Sequence, residues 1–271
     1  MVRTSLNQTK IFFVLLAVCI GVFILLNLQI AAPFINRLAD IDKSIMVVLN
    51  HDGGICADRF WHTISSNMSW VPVGLALILS LLYYKKSPLI LIMIILGLAL
   101  TVVIADQVSS SFLKPYFSRL RPSHNEEICN LLHYVNGYKG GKFGFVSSHS
   151  ANSFGVFAFL MPLLRNKKAG IVLFVWSCMV VYSRIYLGVH YPGDIIAGGI
   201  LGLTAGTGVS ILMKSIYYKI NKSKAKAVCD KDLNCKAESN VIMLTIAATV
   251  FYLLFYNFSQ AVILPYSATT F

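Results

Sequence analysis

The sequence predicts an all-α, polytopic transmembrane helical bundle: a six-helix core with a seventh, C-terminal span. Three observations predict it. The composition is apolar, with 56% hydrophobic and 13% charged residues and a mean hydropathy of +0.70, a balance that belongs to membrane proteins. Seven apolar runs approach the ~20 residues a helix needs to cross hydrocarbon. Lys and Arg gather in alternate loops, the pattern by which membrane topology is encoded.

The first run, Ile11 to Leu28, follows Arg3 and Lys10. It is long for a signal peptide, and Pro33 sits beside the small pair Ala31 and Ala32, so it reads as a retained anchor. The others are Ser69 to Tyr84, Leu89 to Leu113, Ser150 to Leu164, Gly170 to Ser183, Gly193 to Tyr217 and Val241 to Asn257. Residues 1–239 form the expected core domain, and 240–271 add the seventh span and an external tail.

With the N-terminus inside, the cytoplasmic loops carry Lys85 and Lys86, then Arg165, Lys167 and Lys168, then the tract from Lys214 to Lys236. All are basic, as the positive-inside rule requires. The net charge of +12 is therefore spent on topology; no amphipathic basic stripe with interleaved aromatics points to nucleic acid.

The external segment Pro33 to Asn67 places Phe34, Leu38, Ile41, Ile45 and Val48 at helical spacing. This predicts an amphipathic interfacial helix near 34–49. Gly198, Gly202 and Gly206 make a small-residue ridge for close helix packing. The six cysteines show no metal-binding spacing. Cys56 and Cys129 both fall outside and are the candidate disulfide pair; Cys229 and Cys235 fall in the cytoplasm.

Three polar blocks interrupt this chain: Lys114 with Arg121 and Pro122; Ser147, Ser148 and His149; and Ser183, Arg184, His190 and Asp194. Charged residues near hydrocarbon are costly and mark function by default. The expected topology puts all three blocks on the outer face. Two arginines and a lysine suit the oxygens of a phosphoryl group. Two helices start there, at Ser147 to His149 and at Pro192 to Asp194, adding free amides and positive dipole ends.

Asp194, four residues after His190, can turn back to fix one imidazole nitrogen and leave the other free to attack. His149 is available to protonate a leaving oxygen. No external trio of carboxylates stands ready for magnesium, so Lys114, Arg121 and Arg184 are expected to supply the charge without a metal or other cofactor.

These residues resemble the type 2 phosphatidic acid phosphatase superfamily. Its pattern is Lys, six residues, Arg-Pro; then Pro-Ser-Gly-His; then Ser-Arg, five residues, His, three residues, Asp. The first and third blocks match throughout. The second reads Val146, Ser147, Ser148, His149, so Pro becomes Val and Gly becomes Ser.

The resemblance implies that His190 is a nucleophile forming a phosphohistidine, Asp194 orients it and His149 is the general acid. Lys114, Arg121, Ser147, Ser148 and Arg184 would bind the phosphate. It implies a phosphorylated membrane lipid as partner: lipid A at its 1- or 4′-phosphate or undecaprenyl diphosphate, with phosphatidylglycerol phosphate or phosphatidic acid as the alternative. The first two are favoured as envelope lipids, with the site on the periplasmic face of a bacterial inner membrane. Residues 123–146 are the expected place of headgroup recognition, and Arg119 is expected to touch headgroups or solvent. Asp106 is expected to pair with a site cation. A transporter would instead keep ionisable groups near the midplane.

Overall fold

The computed structural model describes residues 2–27, 32–222 and 226–263. Leu28, Ala31, part of the basic cytoplasmic tract and the tail after Ile263 lie outside the described residues. The helices are α1 (Val2–Asn27), α2 (Ala32–Leu49), α3 (Gly54–Ser65), α4 (Val71–Tyr83), α5 (Pro88–Asp106), α6 (Lys114–Phe117), α7 (Ser148–Leu164), α8 (Lys167–Tyr186), α9 (Pro192–Ile220), α10 (Lys226–Asp232) and α11 (Glu238–Ile263). Among the described residues there is no strand, only an isolated bridge between Leu120 and Phe143.

Among the described residues five helical stretches are long and apolar enough to cross a membrane, and the α3–α4 pair, bent by 71°, passes the same test when its two helices are taken together. The fourth expected span is α7. At 17 residues it is shorter than a full crossing, and it carries the buried serines Ser150 and Ser153 inside the bundle. Local chemistry explains several boundaries. Ser87 caps α5 by accepting from Ile90 N, with Pro88 following, and Pro192 starts α9; a missing amide proton costs nothing in a first turn.

Helices α7 and α9 form the central pair, flanked by α5 and α8, with α1 against α9 and α11 against α3, α4 and α8. A Cβ on Gly198, Gly202 or Gly206 would fall on the carbonyl oxygens of Ser147, Ala151 and Gly155 respectively. The ridge thus lets two backbones touch.

Past Asp106 the third span widens into a π-helical stretch, Gln107–Leu113, before α6. Such bulges turn side chains out of the regular helical register and recur at functional sites. Here the result is that Ser109, Ser110 and Lys114 all reach the start of α7.

Helix α2 forms where the spacing predicts it, and its two faces are reversed relative to a soluble helix. Phe34, Leu38, Ile41, Ile45 and Val48 are exposed, whereas Asp42 and Met46 are buried. An outward apolar stripe suits a helix seated in the membrane interface. Cys56 and Cys129 are free thiols, not a disulfide.

Candidate active site

The three polar blocks converge. Ser147 caps α7, its Oγ accepting from Ser150 N at 3.4 Å, while its own amide donates to the Asp194 carbonyl at 3.0 Å. The start of α7 is thereby tied to the start of α9. His190 and Asp194 are buried, at 1% and 0% exposure.

Arg121 Nη1 lies 3.1 Å from His190 Nε2. A guanidinium can only donate, so Nε2 accepts and the ring proton sits on Nδ1. That nitrogen faces Asp194 Oδ2 at 3.4 Å. The arrangement is the one that leaves a nucleophilic lone pair on Nε2 once Arg121 turns to another acceptor. Burial first, then the charges of Arg121, Arg184 and Lys114, push the His190 pKa well below its ordinary value of 6.5.

Lys114, Arg121 and Arg184 share one property: among the described residues none is within salt-bridge distance of a carboxylate. Lys114 Nζ donates to Ser148 Oγ at 2.6 Å and to Ser110 Oγ at 3.4 Å. Arg121 donates to the carbonyls of Phe143 and Val189. Arg184 reaches Ser65 Oγ and, at 3.2 Å, the Tyr138 hydroxyl, while its buried Nε has no partner. Burial together with Arg184 pulls the Arg121 pKa below the usual guanidinium range. Burial favours a neutral Tyr138 phenol, but Arg184 outweighs it and lowers the pKa. Cations held from water without counter-charges are costly, and an anion between them would offset that cost.

Ser148 stands where the family pattern has Gly, and its hydroxyl is a hub, 3.0 Å from Ser109 Oγ and 2.8 Å from Ser110 Oγ as well as bonded to Lys114. His149, next in the chain, faces the charges of Arg184 and Lys114 and the His190 ring.

From Ser148 and His149 a cavity of about 440 Å³ runs between α4, α5, α7 and α8 to Ile242 and Ile246 of α11. Its walls are mostly apolar, including Leu77, Val102, Leu160 and Leu173. The volume is in the range of small-molecule sites. Ser183, by contrast, only closes its own helix, donating to the Val180 carbonyl at 2.6 Å.

Two expectations are corrected. Arg119 is not a headgroup or solvent contact: it is ion-paired to Asp194 Oδ1 and Asp42 Oδ2, each at 2.7 Å. Among the described residues Asp106 is within salt-bridge distance of no site cation; its Oδ1 lies 3.4 Å from the Ser110 hydroxyl.

Other contributors were not legible. Ser65 comes from α3, an element the external segment hid, although Ala57, Phe60, Trp61 and Ile64 follow helical spacing there. Asp52, Asp58 and His133 bring potential ligand atoms within 4.8 Å of one another, with the Tyr186 hydroxyl donating to Asp58 at 2.6 Å. Neither pairing has a local sequence signal.

Residues 91–218 match the PAP2 superfamily. The chain is 40% identical over 169 residues to "Lipid A 4′-phosphatase" of Bacteroides thetaiotaomicron, covering 62% of this chain and 75% of that protein. It is 37% identical over 169 residues to the "Lipid A 4′-phosphatase" of Porphyromonas gingivalis, covering 62% and 71%. A solved transmembrane PAP2-type phosphatidylglycerolphosphate phosphatase from Bacillus subtilis aligns with a TM-score of 0.49 at 21% identity, over 81% of this chain and 98% of that one.

Proposed function

The chain belongs to the PAP2 superfamily, and from that premise we propose that it is an integral membrane phosphatase removing the 4′-phosphate of lipid A through a phosphohistidine on His190. The observation that carries the reading is the junction of two environments. Lys114, Arg121 and Arg184 face His190 without carboxylate partners, and an apolar cavity opens beside them at His149. A headgroup phosphate joined to acyl chains fits both. The relatives named for lipid A favour that headgroup over undecaprenyl diphosphate.

In the proposed reaction the phosphate takes the Arg121 donor away from His190 Nε2. That nitrogen attacks phosphorus, and the bond from phosphorus to the sugar oxygen breaks. His149 gives its proton to the leaving oxygen. Water then attacks the phosphohistidine, His149 takes the water's proton, and inorganic phosphate leaves with His190 restored.

A bound phosphate dianion offsets the cations facing His149 and lets its ring carry the proton. Lys114, Arg121, Arg184 and the start of α7 hold the equatorial oxygens, so charge is stabilised without a metal. The basic loops support a cytoplasmic N-terminus and a site on the periplasmic side of the inner membrane.

The test is phosphate release by the purified protein in detergent with EDTA. The panel holds lipid A, lipid A lacking the 4′-phosphate, undecaprenyl diphosphate and phosphatidylglycerol phosphate. Release from intact lipid A, lost in His190→Ala and cut by about 10²-fold or more in His149→Ala, is expected. No release from any lipid, or an active His190→Ala, would overturn the reading; release only with added metal would remove the metal-free step.

A further inference from the structure

We infer that Arg119 and Asp42 are positioning residues, through which the interfacial helix α2 holds the Asp194–His190 pair in its working orientation. The inference rests on the hydrolase reading and goes beyond it.

Asp194 has no exposure to solvent and three donors. Arg119 Nη1 holds Oδ1 at 2.7 Å. Oδ2 receives the Tyr191 amide at 3.2 Å and faces His190 Nδ1 at 3.4 Å. With Oδ1 clamped by a planar, two-armed group, the carboxylate cannot rotate, and Oδ2 is aimed at the imidazole.

The clamp is itself clamped. The other Arg119 arm, Nη2, binds Asp42 Oδ2 at 2.7 Å, and the guanidinium lies 4.2 Å from the centroid of the Tyr191 ring. Both arms are committed to carboxylates, unlike those of the anion-facing cations. Burial works against the Arg119 charge, yet Asp194 and Asp42 outweigh it and raise the pKa further.

Asp42 also accepts the Gly193 amide at 2.8 Å. A Cβ on Gly193 would lie 2.7 Å from Asp42 Oδ2, so the residue before Asp194 leaves room for this carboxylate and no side chain. A buried Asp on a helix whose apolar stripe points outward is a charge kept against its solvation cost. Its partners account for it: α2, seated in the interface, supplies the outer anchor of the His190–Asp194–Arg119 chain.

Orthovanadate and inorganic phosphate separate positioning from simple anion binding. Vanadate adds His190 Nε2 as an apical ligand of five-coordinate vanadium, which needs an oriented ring; phosphate needs only the cations. Calorimetric titration of the full-length protein in detergent is expected to show Arg119→Gln weakening vanadate by about tenfold while phosphate stays within about twofold.

Arg119→Lys and Asp42→Asn shift the ratio in the same direction by less. Arg119→Gln with Asp42→Asn together is no worse than Arg119→Gln alone, because Asp42 acts through Arg119. His190→Ala abolishes the vanadate preference. Equal loss of both anions, an unchanged ratio in a variant whose unfolding temperature has dropped, or a wild type with no vanadate preference would overturn the inference. If the wild type prefers vanadate but hydrolyses no lipid, the hydrolase reading fails alone, and the variants still decide this inference.

Discussion

At the scale of single residues, the site separates cations by what they lack. Arg119 has two carboxylates, whereas Lys114 leans on hydroxyls, chiefly Ser148. A hydrogen bond to a charged group contributes ~1.5–3 kcal/mol, so Ser148→Gly, which restores the family residue, is expected to lower kcat/KM on lipid A by about tenfold, measured by initial rates. Unchanged kinetics would assign Ser148 to shape alone. His190 carries the pH prediction. Its pKa lies below 6.5 through burial and the facing Arg121, Arg184 and Lys114, so the neutral nucleophile persists as pH falls through 6.5. The acid limb of kcat/KM belonging to His190 is therefore expected below 6.5, in a pH–rate profile of detergent-purified enzyme. The motif residues were legible because their spacing is local to each block. The Arg119 partners were not: they lie 77 and 75 residues away, and no spacing rule connects them.

At the scale of elements, helix starts and close packing were legible and bends were not. Ser147 and Pro192 announce α7 and α9 through known first-turn chemistry, and the glycine ridge announces a close helix contact whose partner, α7, only the fold identifies. A Cβ at Gly202 would meet the Ala151 carbonyl, and overpacking typically costs ~1–3 kcal/mol. Gly202→Ala is expected to lower the unfolding temperature in a detergent melt and to reduce activity with it, since the same pair carries Ser147 and Asp194. The π-helical stretch and the break between α3 and α4 had no comparable signal. Their apolar residues satisfy a continuous span, and the serines that reach Ser148 become functional only when α7 is opposite.

At the scale of the whole molecule, hydropathy and charge made the polytopic bundle legible, because lipid forces backbone polar groups into helices. The cavity was not legible, since its walls come from α4, α5, α7 and α8 and its far end from α11. Ile246→Trp, placed at that end, is expected to raise KM for fully acylated lipid A at least about threefold. It should spare a lipid A analogue with short acyl chains, in a paired mixed-micelle assay; equal effects on both would leave the cavity without a role in holding acyl chains. The proposed passage of phosphate through His190 is open to trapping. Lipid A labelled with ³²P at the 4′-position is mixed with enzyme and quenched in alkaline SDS. Acid-labile label on the peptide containing His190, absent from His190→Ala, is expected. Full turnover with no label on that peptide at any quench time would contradict that passage.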